Sequence, residues 1–149
     1  MRSVTTLVVE ADGGSRGNPG IAAGGAVVMD PDGHVVTELG VYVGVASNNV
    51  AEYNGLLAGL SAAFERDPEA TVHVRMDSKL VVEQMTGRWK VKHPDMRALV
   101  EQANTLIAGR PVTYEWVPRL SNARADKAAN EAMDRRESFR RDLDPRGQR

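Results

Sequence analysis

The sequence predicts an α/β protein built on one mixed sheet, three antiparallel strands followed by parallel ones, with helices flanking it. Residues 4–44 hold three β-rich segments joined by short Gly/Pro/Asp turns, the pattern of an antiparallel meander. From residue 47 on, helical and strand-like segments alternate, so the later strands join through helical crossovers. At 149 residues the chain fits one domain with enough core to fold without staples.

The first strands are expected at 4–11, 22–29 and 34–44, with "GNPG" and "DPDGH" as the turns between them. "SNNVAEYNGLLAGLSAAFERD" then places Tyr53, Leu56, Leu57, Leu60 and Phe64 at helical spacing, with Ser47 and Asn48 in front as candidate caps. A strand follows over 70–77, "ATVHVRMD", and after it a short helix, "SKLVVEQMTG", that Gly87 ends. Pro94 opens and Gly109 closes the next helix, over 94–109. "PVTYEWVP" (111–118) is the last strand, and the last helix is expected over 122–141. The domain is thus expected to span 1–141, with 142–149 a polar basic tail or linker.

The absence of cysteine excludes disulfides and thiolate metal sites. The N-terminus lacks a long apolar segment, and no stretch approaches the ~18–20 apolar residues of a membrane span, so a cytoplasmic protein without membrane contact is expected. The net charge of −1 hides an asymmetry: the last fifteen residues hold six arginines against three acids, which leaves −4 on residues 1–134. An acidic body that binds a polyanion needs a local basic strip, or divalent cations over its carboxylates.

"VVEADGGSRGNPG" (8–20) has four glycines, yet it matches neither nucleotide-binding template. No Gly-x-Gly-x-x-Gly run starts in it, and Gly20 is followed by Ile21 rather than by the end of a phosphate loop. It also leads into a strand, where a nucleotide loop opens a helix. The glycines therefore predict a tight connection between strands, and Asp12 is left to explain.

Two strands are expected to end in aspartate, at Asp12 and Asp77, and in α/β sheets ligands gather at the carboxyl ends of strands. Taken singly, each serves equally well as a turn-former or cap. Asn48, Glu52, Gly55 and Gly59 form a narrow stripe on the first helix. Glycine in a helix interior costs about 1 kcal/mol relative to alanine, so two on one stripe point to close approach to a backbone, which would carry Glu52 to the sheet. The alternative is a solvated Glu52. Asp126 begins the last helix, where the helix dipole alone would favour it. Only the combination is telling. Two carboxylates ~4 Å apart repel by about 4 kcal/mol at an effective dielectric near ~20, so four together require dications. With oxygen ligands and no thiolate, Mg²⁺ or Mn²⁺ is expected.

In chain order, "DGGSRGNPG", "SNNVAEYNGLLAGL", "MDSKLVVEQM" and "WVPRLSNARADKAANEA" resemble four motifs of the type 1 ribonuclease H family, over about residues 5–134. The resemblance implies the ribonuclease H-like fold, a five-stranded mixed sheet with strands one and four adjacent and parallel. It implies endonucleolytic cleavage of the RNA strand of RNA/DNA hybrids. Asp12, Glu52, Asp77 and Asp126 would be the catalytic, metal-binding carboxylates for two Mg²⁺ ions, with Mn²⁺ as a substitute. The implied mechanism is two-metal hydrolysis, one ion activating a water and the other stabilising the 3′-oxygen, which leaves 5′-phosphate and 3′-hydroxyl ends.

By the same resemblance, Gly13, Gly14, Asn18, Ser47, Asn48, Asn49 and Ser78 lie near the hybrid. Asn49 and the backbone after Asp12 are the expected readers of ribose 2′-hydroxyls, and Ser47 with Asn18 the expected grip on a DNA-strand phosphate. The asparagines also suit turn and cap roles. "GRWKVKH" (87–93) is a basic strip in which Arg88, Trp89 and Lys90 suit a DNA strand, the alternative being a solvated turn with Trp89 packed inward. Two features depart from the family pattern. The strip is a short link where better-known bacterial members insert a basic helix and protrusion, and "VPRLSNARA" lacks the loop histidine of many members. Arg119 takes that neighbourhood; a guanidinium steadies phosphate charge but does not shuttle protons. The competing readings are a hybrid-binding module without catalysis and an integrase- or resolvase-like nuclease of the same superfamily. A monomer is expected. Some actinobacterial proteins join such a domain to a C-terminal phosphatase-like domain, and the Arg-rich end suits the start of that linker.

Overall fold

The structure, a computed structural model, describes residues 5–143; the expectations for residues 1–4 and for 144–149 of the tail lie outside the described residues. The elements run β1 (Thr6–Arg16), β2 (Gly20–Met29), β3 (Val35–Ala46), α1 (Asn48–Arg66), β4 (Thr71–Met76), α2 (Lys79–Met85), α3 (Pro94–Ile107), β5 (Val112–Trp116), a 3-10 turn (Arg119–Asn122), α4 (Ala123–Arg135) and β6 (Phe139–Asp142). They build one sheet in the order β5-β4-β1-β2-β3-β6. β1, β2 and β3 pair antiparallel, while β4 lies parallel to both β1 and β5. This is the expected mixed sheet.

Two boundaries differ from the sequence-based expectation. The sheet has a sixth strand, because α4 stops at Arg135 rather than continuing to 141, with Arg136 in the left-handed region at φ 54°. β6 then pairs antiparallel with β3, from Thr37↔Asp142 to Gly40↔Phe139. Helix-favouring sequence loses here to tertiary contacts: Phe139 packs on the cluster of Ala23, Ala129, Ala132 and Met133, and Arg141 grips the Glu131 carboxylate with two hydrogen bonds of 2.9 and 2.6 Å. The second difference is that β1 does not end at Asp12. It runs on to Arg16, because the turn at 17–19 returns the chain as β2, and residues 13–16 find ladder partners from Gly24 to Ile21.

Helices cover the sheet on two sides. Leu7, Val9 and Ala11 of β1, Ala26 and Val28 of β2, and Val72, Val74 and Met76 of β4 meet Tyr53, Leu56 and Leu60 of α1 and Val81 and Val82 of α2 in one buried cluster. α4 packs against β1, β2 and β3 from the other side. Alternation along β2 shows the division: a Cβ on Gly24 would strike α1 at Ala51 and Gly55, and one on the next residue, Gly25, would strike α4 at Ala125 and Ala129.

The glycine stripe of α1 seats directly on this sheet. A Cβ at Gly55 would lie within 3.0 Å of the Asp12 and Gly25 carbonyl oxygens, and one at Gly13 within 3.0 Å of the Ala51 and Glu52 backbone. Only backbone fits between helix and strand at this point. Gly55→Ala should therefore cost about 1–3 kcal/mol through overpacking, although alanine is the better helix former by about 1 kcal/mol. Denaturant unfolding checks the sign; a variant as stable as the parent would mean that α1 does not seat this closely.

Candidate active site

The parallel pairing of β1 with β4 ends at Ala11↔Met76, so the next residues of the two strands, Asp12 and Asp77, stand side by side. Gly55 lets α1 down onto β1, and Glu52, one turn earlier on the helix, arrives beside Asp12. Asp126 enters from the first turn of α4. These four acids line one cleft of about 350 Å³, together with Gly13, Gly14, Asn48 and Arg119.

Proximity shows in the protonation equilibria. Burial pushes the Asp12 carboxyl up to about 8, with Asp77, Asp126 and Glu52 adding repulsion and the Gly13 backbone opposing it. Glu52 is pushed up to about 7, again first by burial and then by Asp77, against a hydrogen bond from Ser78. The donor set is four carboxylates, which suits a hard dication. The acid and imidazole trio whose ligand atoms all fall within 4.8 Å of one another lies elsewhere, at the largely exposed turn of Asp30, Asp32 and His34. Among the described residues, no three of the cleft acids bring their ligand atoms that close together. Such spacing fits cations that keep water or substrate oxygens in part of their shell.

Three polar side chains brace the acids. Ser78 caps α2, accepting from the Val81 amide at 3.2 Å, and its hydroxyl also bonds Glu52. Its side chain is buried. Asn122, fully buried, donates its Nδ2 to Asp77 Oδ1 at 2.9 Å and to the Ala11 carbonyl at 2.8 Å. Asn130 donates to Asp126 Oδ1 at 3.3 Å and to the Asp126 carbonyl at 3.0 Å. Sequence reasoning missed Asn122 and Asn130; their position four residues before and four after Asp126 was the available signal. It also missed Ser15, Arg16 and Met133 in the cleft wall.

The expected substrate residues fall into two groups. Near the cleft, Ser47 caps α1 through the Val50 amide at 3.2 Å. Asn48 Oδ1 accepts from the Ser15 amide at 2.8 Å, and Asn18 Oδ1 accepts from the Asn48 amide at 3.0 Å. Cap and turn duties thus engage the oxygens of both asparagines. Asn49 follows as the second, half-buried residue of α1. Away from the cleft wall, Arg88, Trp89 and Lys90 lie on the exposed segment after α2, and Trp89, 45% exposed, is not packed inward. Gln84 holds that segment: its side chain accepts from the Tyr53 hydroxyl at 2.6 Å and donates to the Lys90 carbonyl at 3.3 Å.

Residues 10–132 match the family described as reverse transcriptase-like. The solved N-terminal RNase H domain of Rv2228c from Mycobacterium tuberculosis superposes with a TM-score of 0.84 at 55% identity, covering 88% of this chain and 95% of that one. This chain belongs to the ribonuclease H family. A second member, LC11-RNase H1 solved in complex with an RNA/DNA hybrid, gives a TM-score of 0.83 at 37% identity over 87% of this chain and 98% of that one. The full bifunctional protein Rv2228c of M. tuberculosis is 54% identical over 142 residues, 93% of this chain, which spans only 39% of that relative's length. Among the described residues, no helix of this ribonuclease H-family chain is long and apolar enough to cross a membrane.

The raised acids give a pH signature without metal. A carboxyl with a higher folded than unfolded pKa stabilises the fold fully below its unfolded value, near 3.8 for Asp12, and that stability is lost as pH rises through about 8. In EDTA the protein should therefore melt lower at pH 8 than at pH 5. Asp12→Asn should flatten this dependence and melt above the parent at pH 8. Mg²⁺ should raise the parent's Tm at pH 8 and hardly at all at pH 5. Differential scanning fluorimetry at both pH values decides; a parent curve that metal does not move at pH 8 would leave the cleft without cation affinity.

Proposed function

We propose that this chain is an endonuclease that hydrolyses the RNA strand of RNA/DNA hybrids, leaving 5′-phosphate and 3′-hydroxyl ends. The convergence of Asp12, Glu52, Asp77 and Asp126 on one cleft, in a chain of the ribonuclease H family, carries this proposal. Bound there, two divalent cations, Mg²⁺ with Mn²⁺ as a substitute, supply the activated water and the counter-charge for the departing 3′-oxygen. Asp12 is the most buried of the four and sits among the other three, so it would hold the cations together with them. Glu52 and Asp77 flank it from α1 and β4, oriented by Ser78 and Asn122. Asp126, held by Asn130, closes the set.

The surrounding chain reads the substrate. Gly13 and Gly14 expose backbone beside Asp12, where a ribose 2′-hydroxyl can meet it, and Asn48 and Asn49 at the start of α1 present amide groups nearby. Ser47 and Asn18 supply a grip for a DNA-strand phosphate. Arg88, Trp89 and Lys90 offer charge and an exposed indole to the DNA strand. LC11-RNase H1, of similar fold, was solved holding an RNA/DNA hybrid. Arg119 steadies phosphate charge in the cleft, so turnover does not require a histidine. The domain is proposed to act as a monomer in the cytoplasm, and the length of Rv2228c supports a further C-terminal domain in the whole protein.

Labelled RNA/DNA hybrid, double-stranded RNA, duplex DNA and single-stranded RNA, each with Mg²⁺, Mn²⁺ or EDTA, test this directly. Only the hybrid should be cut, and only with metal. Asp77→Asn should lose more than the about 10–100-fold typical of an outer-shell partner. Arg119→Ala should slow turnover about 10-fold, the scale of one charge-assisted hydrogen bond. An intact hybrid with either metal, or an Asp77→Asn variant as active as the parent, would refute the function; an Arg119→Ala variant at full rate would remove Arg119 from the site.

A further inference from the structure

Two cations line the cleft, Arg119 and Arg16, and the chemistry proposed above uses only the first. Arg16 ends β1 four residues after Asp12, on the same strand face. At a rise of ~3.3 Å per residue, the two Cα atoms lie about 13 Å apart along the strand. The guanidinium reaches over α4, where Nη2 lies 2.8 Å from Asp134 Oδ1 and donates to Asn130 Oδ1 at 3.2 Å and to the Asn130 carbonyl at 3.5 Å. Asn130 in turn donates to Asp126. Arg16 is therefore tied, through one amide, to a carboxylate of the metal-binding set.

Its partner is easily replaced. Asp134 is 68% exposed and Arg16 47% exposed, and ion pairs this open contribute little. A phosphodiester offers a guanidinium the same two-oxygen fork as a carboxylate. A strand whose scissile phosphate lies over the carboxylates carries further phosphates along the cleft, where Arg16 waits.

We propose that Arg16 exchanges Asp134 for a backbone phosphate of the bound hybrid, close to the scissile one, and that Asp134 holds the guanidinium extended until substrate arrives. This rests on the hybrid-cleaving function proposed above and adds a contact to the same site. Asn130 keeps its bond to the guanidinium in both states, which couples occupancy of the phosphate contact to the setting of Asp126.

Fluorescence anisotropy of a hybrid in EDTA, from about 50 to about 200 mM salt, tests the exchange with no cleavage in progress. Arg16→Ala should weaken binding several-fold at low salt and lower the log–log salt slope by about 1, and Arg16→Lys should keep the slope. Asp134→Asn should tighten binding about 2–5-fold by releasing Arg16, the scale of an exposed ion pair. That gain should vanish in the Arg16→Ala/Asp134→Asn double variant, with melting curves confirming that every variant is folded. An unchanged slope in Arg16→Ala, or an equal gain from Asp134→Asn with and without Arg16, would overturn the exchange. A parent that cleaves hybrids while Arg16→Ala binds like the parent refutes this contact alone; a parent that leaves hybrids intact refutes the function itself, whatever Arg16 does.

Discussion

The seating of α1 on the bare backbone of β1 and β2 is the constraint on which the rest of this structure depends. Where Gly55 crosses Asp12 and Gly25, and where Gly13 meets Ala51 and Glu52, there is no room for a single added carbon. That approach fixes the height of the helix above the sheet, and with it the reach of Glu52 toward Asp12. Gly25 and Gly40 do the same for α4 on the opposite side, where added carbons would strike Ala128, Ala129 and Ala132. Two acids on the sheet and one on each covering helix thus converge because main chain, rather than flexible side chain, sets the distances.

Convergence carries an electrostatic cost. Asp12 is buried among like charges, and burial is the largest contribution to its raised pKa and to that of Glu52. Nearby donors offset part of this: the Gly13 backbone at Asp12, Ser78 at Glu52, Asn122 at Asp77 and Asn130 at Asp126. They orient the carboxylates without neutralising them. The remaining negative charge is what suits the cleft to dications.

For the proposed substrate, a polyanion on an acidic body, only a few placed cations stand near the cleft. Arg119 and Arg16 stand in the cleft, and the segment with Arg88, Trp89 and Lys90 stands outside it. That short segment is not loosely attached. Glu83 accepts from the Arg88 and Trp89 amides through its carbonyl at 2.9 and 3.1 Å, and Gln84 links the Lys90 carbonyl to Tyr53, the neighbour of Glu52 on α1. The helix that carries Glu52 and the basic strip share one hydrogen-bonded anchor.

The sequence alone determined the mixed sheet, the order of its elements, the four acids and the stripe on α1, because apolar periodicity, turn residues and the cost of helical glycine are local properties. It misjudged the segment after Asp12, which has weak strand propensity and becomes strand only because β2 returns beside it. It likewise extended the last helix through Phe139, whose place in β6 is set by a cluster and by arginine pairs distant in sequence. Ser78 was legible as a residue of the site but not as a partner of Glu52, and Asn122 and Asn130 left only their four-residue spacing from Asp126 as a trace. Which donor meets which carboxylate, and which arginine stands in the cleft, was decided by tertiary structure. Asn122 joins Asp77 across 45 positions and Arg16 joins Asn130 across 114, and no local pattern in the chain encodes such contacts.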